Sequence, residues 1–285
     1  MEIAVFADIH SNYAAFEQCV EYVLTRGIDT FIFLGDYLGE FPYPQRTMEM
    51  VYTLNDKYNC FFIRGNKEDY WISRRYDANC DWKCGNLTVG AMNYCYYNLT
   101  EKDLGFFKNL PIAQELNFEN SPVVLACHGS PHRNNEKMLP DDDRTRQIME
   151  ESAYKYILCG HTHIQGAIAH GGKIVLNPGS IGVPLYSGGK SQFMILKQDN
   201  NDWTHEFVSI DYDKNKLMAD FKESGLEMAA PYWTQITKHL MLTGKVAHGT
   251  VLARAMQLCA KENGNAAWYD TPDKYWEQAI AELLT

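Results

Sequence analysis

Apolar runs and amphipathic stretches alternate over the first quarter of the chain. Short runs rich in β-branched and aromatic residues cover Glu2–Ala7, Thr30–Leu34 and Cys60–Ile63, and these predict buried strands. Between them, Asn12–Arg26 and Pro44–Tyr58 carry apolar residues at helical spacing. This β-α-β-α-β order predicts parallel strands joined by right-handed crossovers. In such sheets, ligands gather at the carboxyl ends of the strands.

The middle of the chain predicts further strands and one more helix. Pro122–Cys127 and Tyr156–Cys159 are apolar runs, and Asp141–Lys155 between them is typical of a helix that begins with acidic residues. Four more strands follow, separated by turn residues: Gly166–Ala169, Lys173–Leu176, Gln192–Gln198 and Trp203–Ile210. Late strands after early βα units predict an α/β (α+β) fold, a four-layer αββα sandwich of two mixed sheets with helices outside.

The strand pattern stops near Asp213, and the rest of the chain predicts helices. They are expected at Lys214–Glu223, Pro231–Thr243, Val246–Glu262 and Pro272–Leu284. We therefore divide the chain into a main domain, residues 1–212, and a helical C-terminal extension, residues 213–285. Packing or dimerisation is the favoured role for this aromatic-rich extension, which predicts a homo-oligomer formed through its helices. Lining a cap over a binding cleft is the alternative.

Composition narrows the classes of partner. The net charge of −10 argues against binding of nucleic-acid polymers or anionic membrane surfaces, which need basic patches. No apolar run approaches the roughly 18 residues that span a membrane. The N-terminal apolar run is interrupted by Asp8 and His10, so it predicts a strand rather than a signal peptide, and the expected location is cytoplasmic. The eight cysteines, including Cys80 and Cys84, are interpreted as reduced thiols.

Polar residues suited to metal binding follow the predicted strands. Five short pieces carry them: Asp8-Ile9-His10, Gly35-Asp36, Gly65-Asn66, His128-Gly129 and Gly160-His161-Thr162-His163. Taken singly, each has an ordinary interpretation as a helix cap, a core histidine or a turn. Together they bring seven side chains to strand ends, and imidazole and carboxylate are ligands that suit zinc, manganese, iron and nickel. The sequence therefore predicts a metal site.

The order of these pieces resembles the calcineurin-like metallophosphoesterase superfamily, in its compact bacterial and archaeal phosphodiesterase branch. The family reads Asp-x-His, Gly-Asp-x-x-Gly, Gly-Asn-His-Asp/Glu, a single His and Gly-His-x-His, and Asn177-Pro178-Gly179-Ser180 also resembles that branch. The resemblance covers about residues 1–212 and implies two divalent ions (Mn, Fe, Zn or Ni). It assigns Asp8, His10 and His163 to the first ion, Asn66, His128 and His161 to the second, and Asp36 to a bridge.

The resemblance also implies the roles of nearby residues. Asp36, Asn66 and His128 would take part in catalysis, in which a hydroxide bridging the metals attacks phosphorus. Lys67 stands where the family usually has His, so it is either a catalytic and phosphate-binding residue or a solvated surface lysine. Asn12 could bind a phosphate or cap the first helix, and the cap is favoured. Arg133 is a substrate-binding candidate, but a solvated loop charge is the favoured interpretation.

These expectations define a function and its competitors. The resemblance implies a hydrolase acting on a small phosphodiester or phosphoanhydride. A dinucleoside polyphosphate is one candidate, because the chain is similar to bacterial diadenosine tetraphosphate hydrolases in its helical extension and in its Gly-Asn-x-Glu-Asp run without His. The alternatives are a catalytically weak relative that acts as a binding or scaffold protein, and a protein phosphatase of the same superfamily. Retention of all seven ligand candidates favours the hydrolase.

Overall fold

Two five-stranded mixed sheets form the centre of the molecule. The computed structural model describes residues 1–76, Trp82, 87–264 and 266–284. The first sheet has the order β10-β9-β1-β2-β3 and the second β4-β5-β6-β8-β7. The strands are β1 Glu2–Phe6, β2 Thr30–Phe33, β3 Asn59–Phe62, β4 Ala113–Leu116, β5 Val124–Cys127, β6 Tyr156–Leu158, β7 Gly166–His170, β8 Lys173–Asn177, β9 Ser191–Asp199 and β10 Asp202–Ile210.

Helices cover the outer faces of both sheets and form the C-terminal segment. They are α1 Tyr13–Thr25, α2 Pro44–Lys57, α3 Asn66–Tyr76, α4 Gly90–Tyr97, α5 Glu101–Asn109, α6 Asp143–Glu151, α7 Lys214–Glu223, α8 Leu226–Ala229, α9 Pro231–Thr243, α10 His248–Asn263 and α11 Asp273–Leu283. Short 3₁₀ turns occupy Leu87–Val89 and Trp268–Asp270. Among the described residues, no helix is long and apolar enough to cross a membrane.

Alternating strand residues build the layers. Ile3 and Val5 of β1 pack between the sheets against β5 residues such as Val124, whereas Phe6 points to the opposite face and packs among α1 and its neighbours. On the outer face of the second sheet, Leu125 packs with α6. This period-two division of apolar residues gives the four-layer αββα sandwich that the sequence predicts.

The pairing of strands within each sheet brings the carboxyl ends of the parallel strands to one edge. The pairs β1–β2, β2–β3, β5–β6 and β6–β8 are parallel, and antiparallel strands flank them. Parallel neighbours end at the same edge, so the residues that follow β1, β2 and β3 lie side by side. The residues that follow β5 and β6 lie at the matching edge of the second sheet.

The sequence missed one strand. Ala113–Leu116 forms β4, which pairs antiparallel with β5 at the edge of the second sheet. Its sequence, AQEL, has no β-branched or aromatic residue, so its strand conformation comes from pairing with β5 rather than from local preference. The other predicted strands are observed, with ends within about two residues.

The C-terminal helices pack in two ways. Leu217, Phe221 and Leu240 join the core that covers the first sheet, and a separate apolar cluster around Trp276 joins α9, α10 and α11. The change from strands to helices occurs between Ile210 and Lys214, close to the predicted boundary. In the described residues, the free cysteines are Cys19, Cys60, Cys95, Cys127, Cys159 and Cys259, and Cys80 and Cys84 lie outside the described residues.

Candidate metal centre

The predicted ligands lie at strand ends, as expected. Asp8 follows β1, Asp36 follows β2, Asn66 begins α3 after β3, and His128 directly follows β5. His161 and His163 lie in the loop after β6. The two sheets thus contribute to one cluster, because their parallel strands end at facing edges.

Unusual backbone conformations hold the cluster. Five of the seven candidates adopt positive φ angles between 52° and 64°: Asp8, His10, Asp36, His161 and His163. This left-handed region is uncommon for residues other than glycine and costs of order 1–3 kcal/mol each. Backbone hydrogen bonds between the loops oppose that cost, as where the Asp8 amide donates to Gly35 and the His10 amide to Asp36. Such concentrated strain is typical of functional sites.

Two glycines allow the loops to approach each other. A Cβ atom on Gly65 would lie 2.2 Å from Oδ1 of Asp36, and one on Gly160 would lie 2.7 Å from Oδ2 of Asp8. Any side chain at either position would displace a carboxylate of the cluster, so the glycines of these motifs are needed for close packing of the ligands.

The ligand atoms form two compact groups. Asp8, His10 and His163 make one group, and Asp8, Asp36 and His128 make the other, with the ligand atoms of each within 4.8 Å of one another. Nε2 of His163 lies 3.2 Å from Oδ1 of Asp8. The two groups share Asp8, so their centres are adjacent.

Asp36 faces both groups with different oxygen atoms. Its Oδ2 lies 3.6 Å from Nε2 of His10, and its Oδ1 lies 3.4 Å from Nε2 of His128. A carboxylate oriented in this way can contact two cations, one through each oxygen. The geometry fits the bridge that the resemblance implies for Asp36.

Asn66 and His161 lie on the same side of the cluster as His128. Oδ1 of Asn66 lies 3.1 Å from Nε2 of His128. The His161 ring lies 5.2 Å from the ring of His128, and its backbone amide donates to Oδ2 of Asp8. Burial and the charge of His128 lower the pKa of His161 to about 4, which keeps this imidazole neutral, the form that coordinates metals.

Unpaired buried atoms indicate that the cluster fits cations. Oδ1 of Asp8 and Nε2 of His10 are buried without a hydrogen-bond partner in the described part of the chain. A buried polar atom without a partner costs about 1–3 kcal/mol, and more when the group is charged. Both atoms point into the group formed with His163, and a divalent cation bound there would satisfy both.

The charged groups of the cluster shift one another's pKa values in the direction opposite to the effect of burial. Burial favours neutral Asp8, yet the charges of His163 and His128 hold its pKa well below the usual value. Burial likewise disfavours charged His10 and His128, but the charges of Glu40 and Asp36 raise their pKa values to about 10 and about 9. Metal binding here must displace protons, because a coordinating imidazole is neutral.

Two carboxylates that the sequence did not single out support the ligands. Glu40 accepts from Nδ1 of His10 at 2.6 Å, which fixes the ring so that Nε2 faces the metal group. Glu68 accepts from the backbone amides of Gly65, Asp36 and Tyr37 and so binds two loops together. Glu68 occupies the Asp/Glu position of the Gly-Asn-His-Asp/Glu motif. Nothing in the sequence, by contrast, pairs Glu40 with a histidine 30 residues away.

Lys67 is not a solvated surface residue. Its side chain is 15% exposed, and its ammonium pairs with the other oxygen of Glu40. Burial opposes the charge, but Glu40 and Asp36 hold the pKa of Lys67 above its ordinary value. Its backbone amide donates to Oδ1 of Asp36 at 2.8 Å. Lys67 is therefore a partly buried cation beside the metal group, and its action on a leaving group stays a prediction.

The two other substrate-binding candidates have different surroundings. Asn12 is buried, caps α1 through Ala15, and donates from its amide to Gly182 and Tyr212. The favoured capping interpretation is confirmed, and a phosphate contact would require breaking these bonds. Arg133 is exposed on the loop after β5, where its charge acts on Glu136, and its role in binding substrate stays a prediction.

A cavity of about 480 Å³ opens beside the cluster. Gly39, Glu40 and Lys67 line its end nearest the ligands, and the C-terminal segment contributes Trp233 and Met256. The C-terminal helices therefore pack on the core, which is part of the role that the sequence analysis favoured. They also line a cleft, which is the alternative role given there. A further residue of that segment, His248, feels the charges of Glu40 and Lys67, and burial lowers its pKa to about 4.

Comparisons with known proteins agree with this geometry. A sequence model of the calcineurin-like phosphoesterase superfamily domain matches residues 1–201. An uncharacterised protein of Methanocaldococcus jannaschii is 28% identical over 234 residues, which cover 75% of this chain and 89% of that protein.

Two solved structures share the fold. A hypothetical protein from Pyrococcus horikoshii is 22% identical, with a TM-score of 0.68 over 86% of this chain and 99% of its own. A metallophosphoesterase from Sphaerobacter thermophilus is 20% identical, with a TM-score of 0.66 over 86% of this chain and all of its own. Both alignments cover more of this chain than the 212 residues of the main domain, so they include part of the C-terminal extension.

Proposed function

Since the chain belongs to the calcineurin-like phosphoesterase superfamily, a family of metal-dependent hydrolases, we propose that it hydrolyses a small phosphodiester or phosphoanhydride at a site for two divalent ions. The observation that carries the proposal is the pair of ligand groups that share Asp8, with Asp36 facing both. One group alone would serve a single ion. Two adjacent groups suit a phosphate, whose oxygens can contact both ions.

The ligand sets are those that the resemblance implies, and the contacts above are compatible with them. One set is Asp8, His10, Asp36 and His163, and the other is Asp36, Asn66, His128 and His161. When bound, two such ions neutralise phosphoryl charge and lower the pKa of water enough for attack at neutral pH. Two ions with Asp8 and Asp36 leave a net charge of about plus two, which attracts an anionic substrate to a chain of net charge −10.

The chain's own residues prepare the site for that ligand. Glu40 orients His10, and the carbonyl of Leu34 accepts from Nδ1 of His128 at 2.7 Å, so both rings turn Nε2 inward. Lys67 holds a positive charge at the edge of the cluster, where its ammonium can donate to a phosphate oxygen. These contacts fix the ligands before substrate arrives, which lowers the cost of ordering the transition state.

The proposed substrate is a small molecule. The cavity beside the ligands is of the size that suits ligands of a few hundred daltons, whereas a protein phosphatase needs a surface that admits a folded partner. A dinucleoside polyphosphate is one such small substrate. Assembly into homo-oligomers through the C-terminal helices stays a prediction.

Hydrolysis of bis(p-nitrophenyl) phosphate by protein loaded with manganese tests the proposal. We expect turnover that depends on added metal and is lost in Asp36→Asn. A folded, metal-loaded protein without turnover would instead favour a binding or scaffold role.

A further inference from the structure

The cavity beside the metal centre is charged at the end nearest the ligands and apolar along the rest of its lining. Apart from Glu40 and Lys67 at the end near the ligands, the lining is uncharged and rich in aromatic and methionine side chains. Five aromatic residues contribute to it: Tyr70, Trp71, Trp82, Trp233 and Trp268. Aromatic walls with few polar groups favour a flat, uncharged ligand over a second phosphate.

The cavity begins one side chain away from the metal ligands. Glu40 contacts His10 through one oxygen and Lys67 through the other, and both Glu40 and Lys67 line the cavity. A phosphate held at the ligands would therefore place one of its ester substituents at the cavity entrance. The cavity is thus positioned for part of the substrate rather than for an unrelated ligand.

One buried donor inside the cavity wall lacks an acceptor. Trp71 is 0% exposed, and its indole Nε1–H has no hydrogen-bond partner in the described part of the chain. The Trp203 indole, by contrast, donates to the carbonyl of Pro122. Leaving such a donor unpaired costs free energy. A bound group with a hydrogen-bond acceptor could pair with the Trp71 indole, whereas an alkyl chain could not.

The cavity walls come from both parts of the chain. Trp71 and Met92 belong to α3 and α4 of the main fold, whereas Leu252 and Met256 lie on α10. Methionine and aromatic walls adapt to flat rings. The C-terminal helices thus complete a compartment that the sandwich alone leaves open.

We propose that this compartment binds a planar heteroaromatic group of the substrate, of the nucleobase type, carried on the phosphate that the metal centre hydrolyses. The inference rests on the proposed phosphoesterase function and names its substrate class. The volume of about 480 Å³ accommodates one such group with its sugar.

Three phosphodiesters with the same leaving group test the proposal. The p-nitrophenyl esters of methyl phosphate, hexyl phosphate and thymidine 5′-phosphate differ only in the group offered to the compartment. In each, water adds to phosphorus, the P–O bond to the nitrophenyl group breaks, p-nitrophenolate leaves and a proton is released. With the manganese-loaded full chain, we expect kcat/KM for the thymidine ester to exceed that for the methyl ester at least about tenfold, the order expected of one stacked base.

Filling the compartment should remove that preference. Met256→Trp on α10, or Met92→Trp on the opposite wall, should lower kcat/KM for the thymidine ester about tenfold or more and leave the methyl ester within about twofold. Ala253→Trp, on the exposed face of α10, is the matched control and should change neither. Calorimetric titration with thymidine 5′-monophosphate should show binding to wild type that is lost in Met256→Trp and retained in Ala253→Trp.

The outcomes separate this inference from the proposed function. Hydrolysis of all three esters at similar rates, or a preference for the hexyl ester, would overturn the aromatic compartment and leave the phosphoesterase standing. Absence of hydrolysis of every ester by folded, metal-loaded protein would overturn the proposed function itself.

Discussion

The metal centre and the aromatic compartment are neighbours built on opposite principles. The centre draws polar residues from strand ends of both sheets and holds them in strained loops around unpaired buried atoms. The compartment draws apolar side chains from helices of both parts of the chain. Chemistry needs fixed ligands, whereas recognition of a substituent needs shape and burial. The two regions meet at Glu40 and Lys67.

The largest expected effect falls on the centre. Asp36→Asn removes the carboxylate that faces both ligand groups while preserving its shape. We expect activity to fall about a thousandfold or more, because the charge stabilisation that bound ions supply is worth several kcal/mol and about 4 kcal/mol corresponds to that factor. Turnover of bis(p-nitrophenyl) phosphate with measured metal content checks this. Wild-type turnover with full metal content would show that Asp36 is not the bridge.

The next effect falls on the contact between the two regions. Glu40→Gln weakens the orientation of His10, and we expect metal affinity to fall about 10- to 100-fold, as is typical when a partner of a ligating histidine is lost. Competition with a metal chelator measures this affinity. Lys67→Met keeps the contact between Glu40 and His10 and should not weaken metal binding; equal losses in both variants would remove Glu40 from this role.

Lys67 should matter for some substrates more than for others. General acid catalysis is worth about 10²–10⁴-fold when the leaving oxygen is strongly basic and little when it leaves as a stable anion. Lys67→His restores the residue that the family usually has. We expect it to raise hydrolysis of alkyl phosphate esters at least about tenfold more than hydrolysis of nitrophenyl esters, at matched metal loading. Equal changes in the two substrate classes would remove Lys67 from the leaving-group step.

The smallest expected effect falls on the compartment. Trp71→Phe keeps an aromatic ring and removes the unpaired donor, so KM for the thymidine ester should rise about three- to tenfold, the value of one hydrogen bond. The methyl ester should be unaffected. Trp203→Phe, which removes an indole hydrogen bond between the sheets, is the control: it should lower the free energy of unfolding and leave both KM values unchanged.

The same comparison explains what the sequence could predict. The centre is visible in sequence because each ligand follows a strand whose apolar run is local, and parallel strands bring their ends together. Glu40 was missed because its partner His10 is distant in sequence, and strand β4 because its pairing with β5 decides its conformation. The sequence predicted a cap over a cleft only as an alternative role for the C-terminal helices. Helical spacing predicts that a residue such as Met256 lies on the apolar face of its helix, but it does not show which surface that face covers.

Counting the bound ions tests the central claim most directly. Protein stripped of metal and titrated with manganese should bind two ions per chain, and removing the excess should leave both in elemental analysis. His10→Ala and His128→Ala should each retain about one ion, because the two histidines lie in different ligand groups. Binding of a single ion by wild type, or loss of the same single ion in both variants, would contradict a centre built from two adjoining groups.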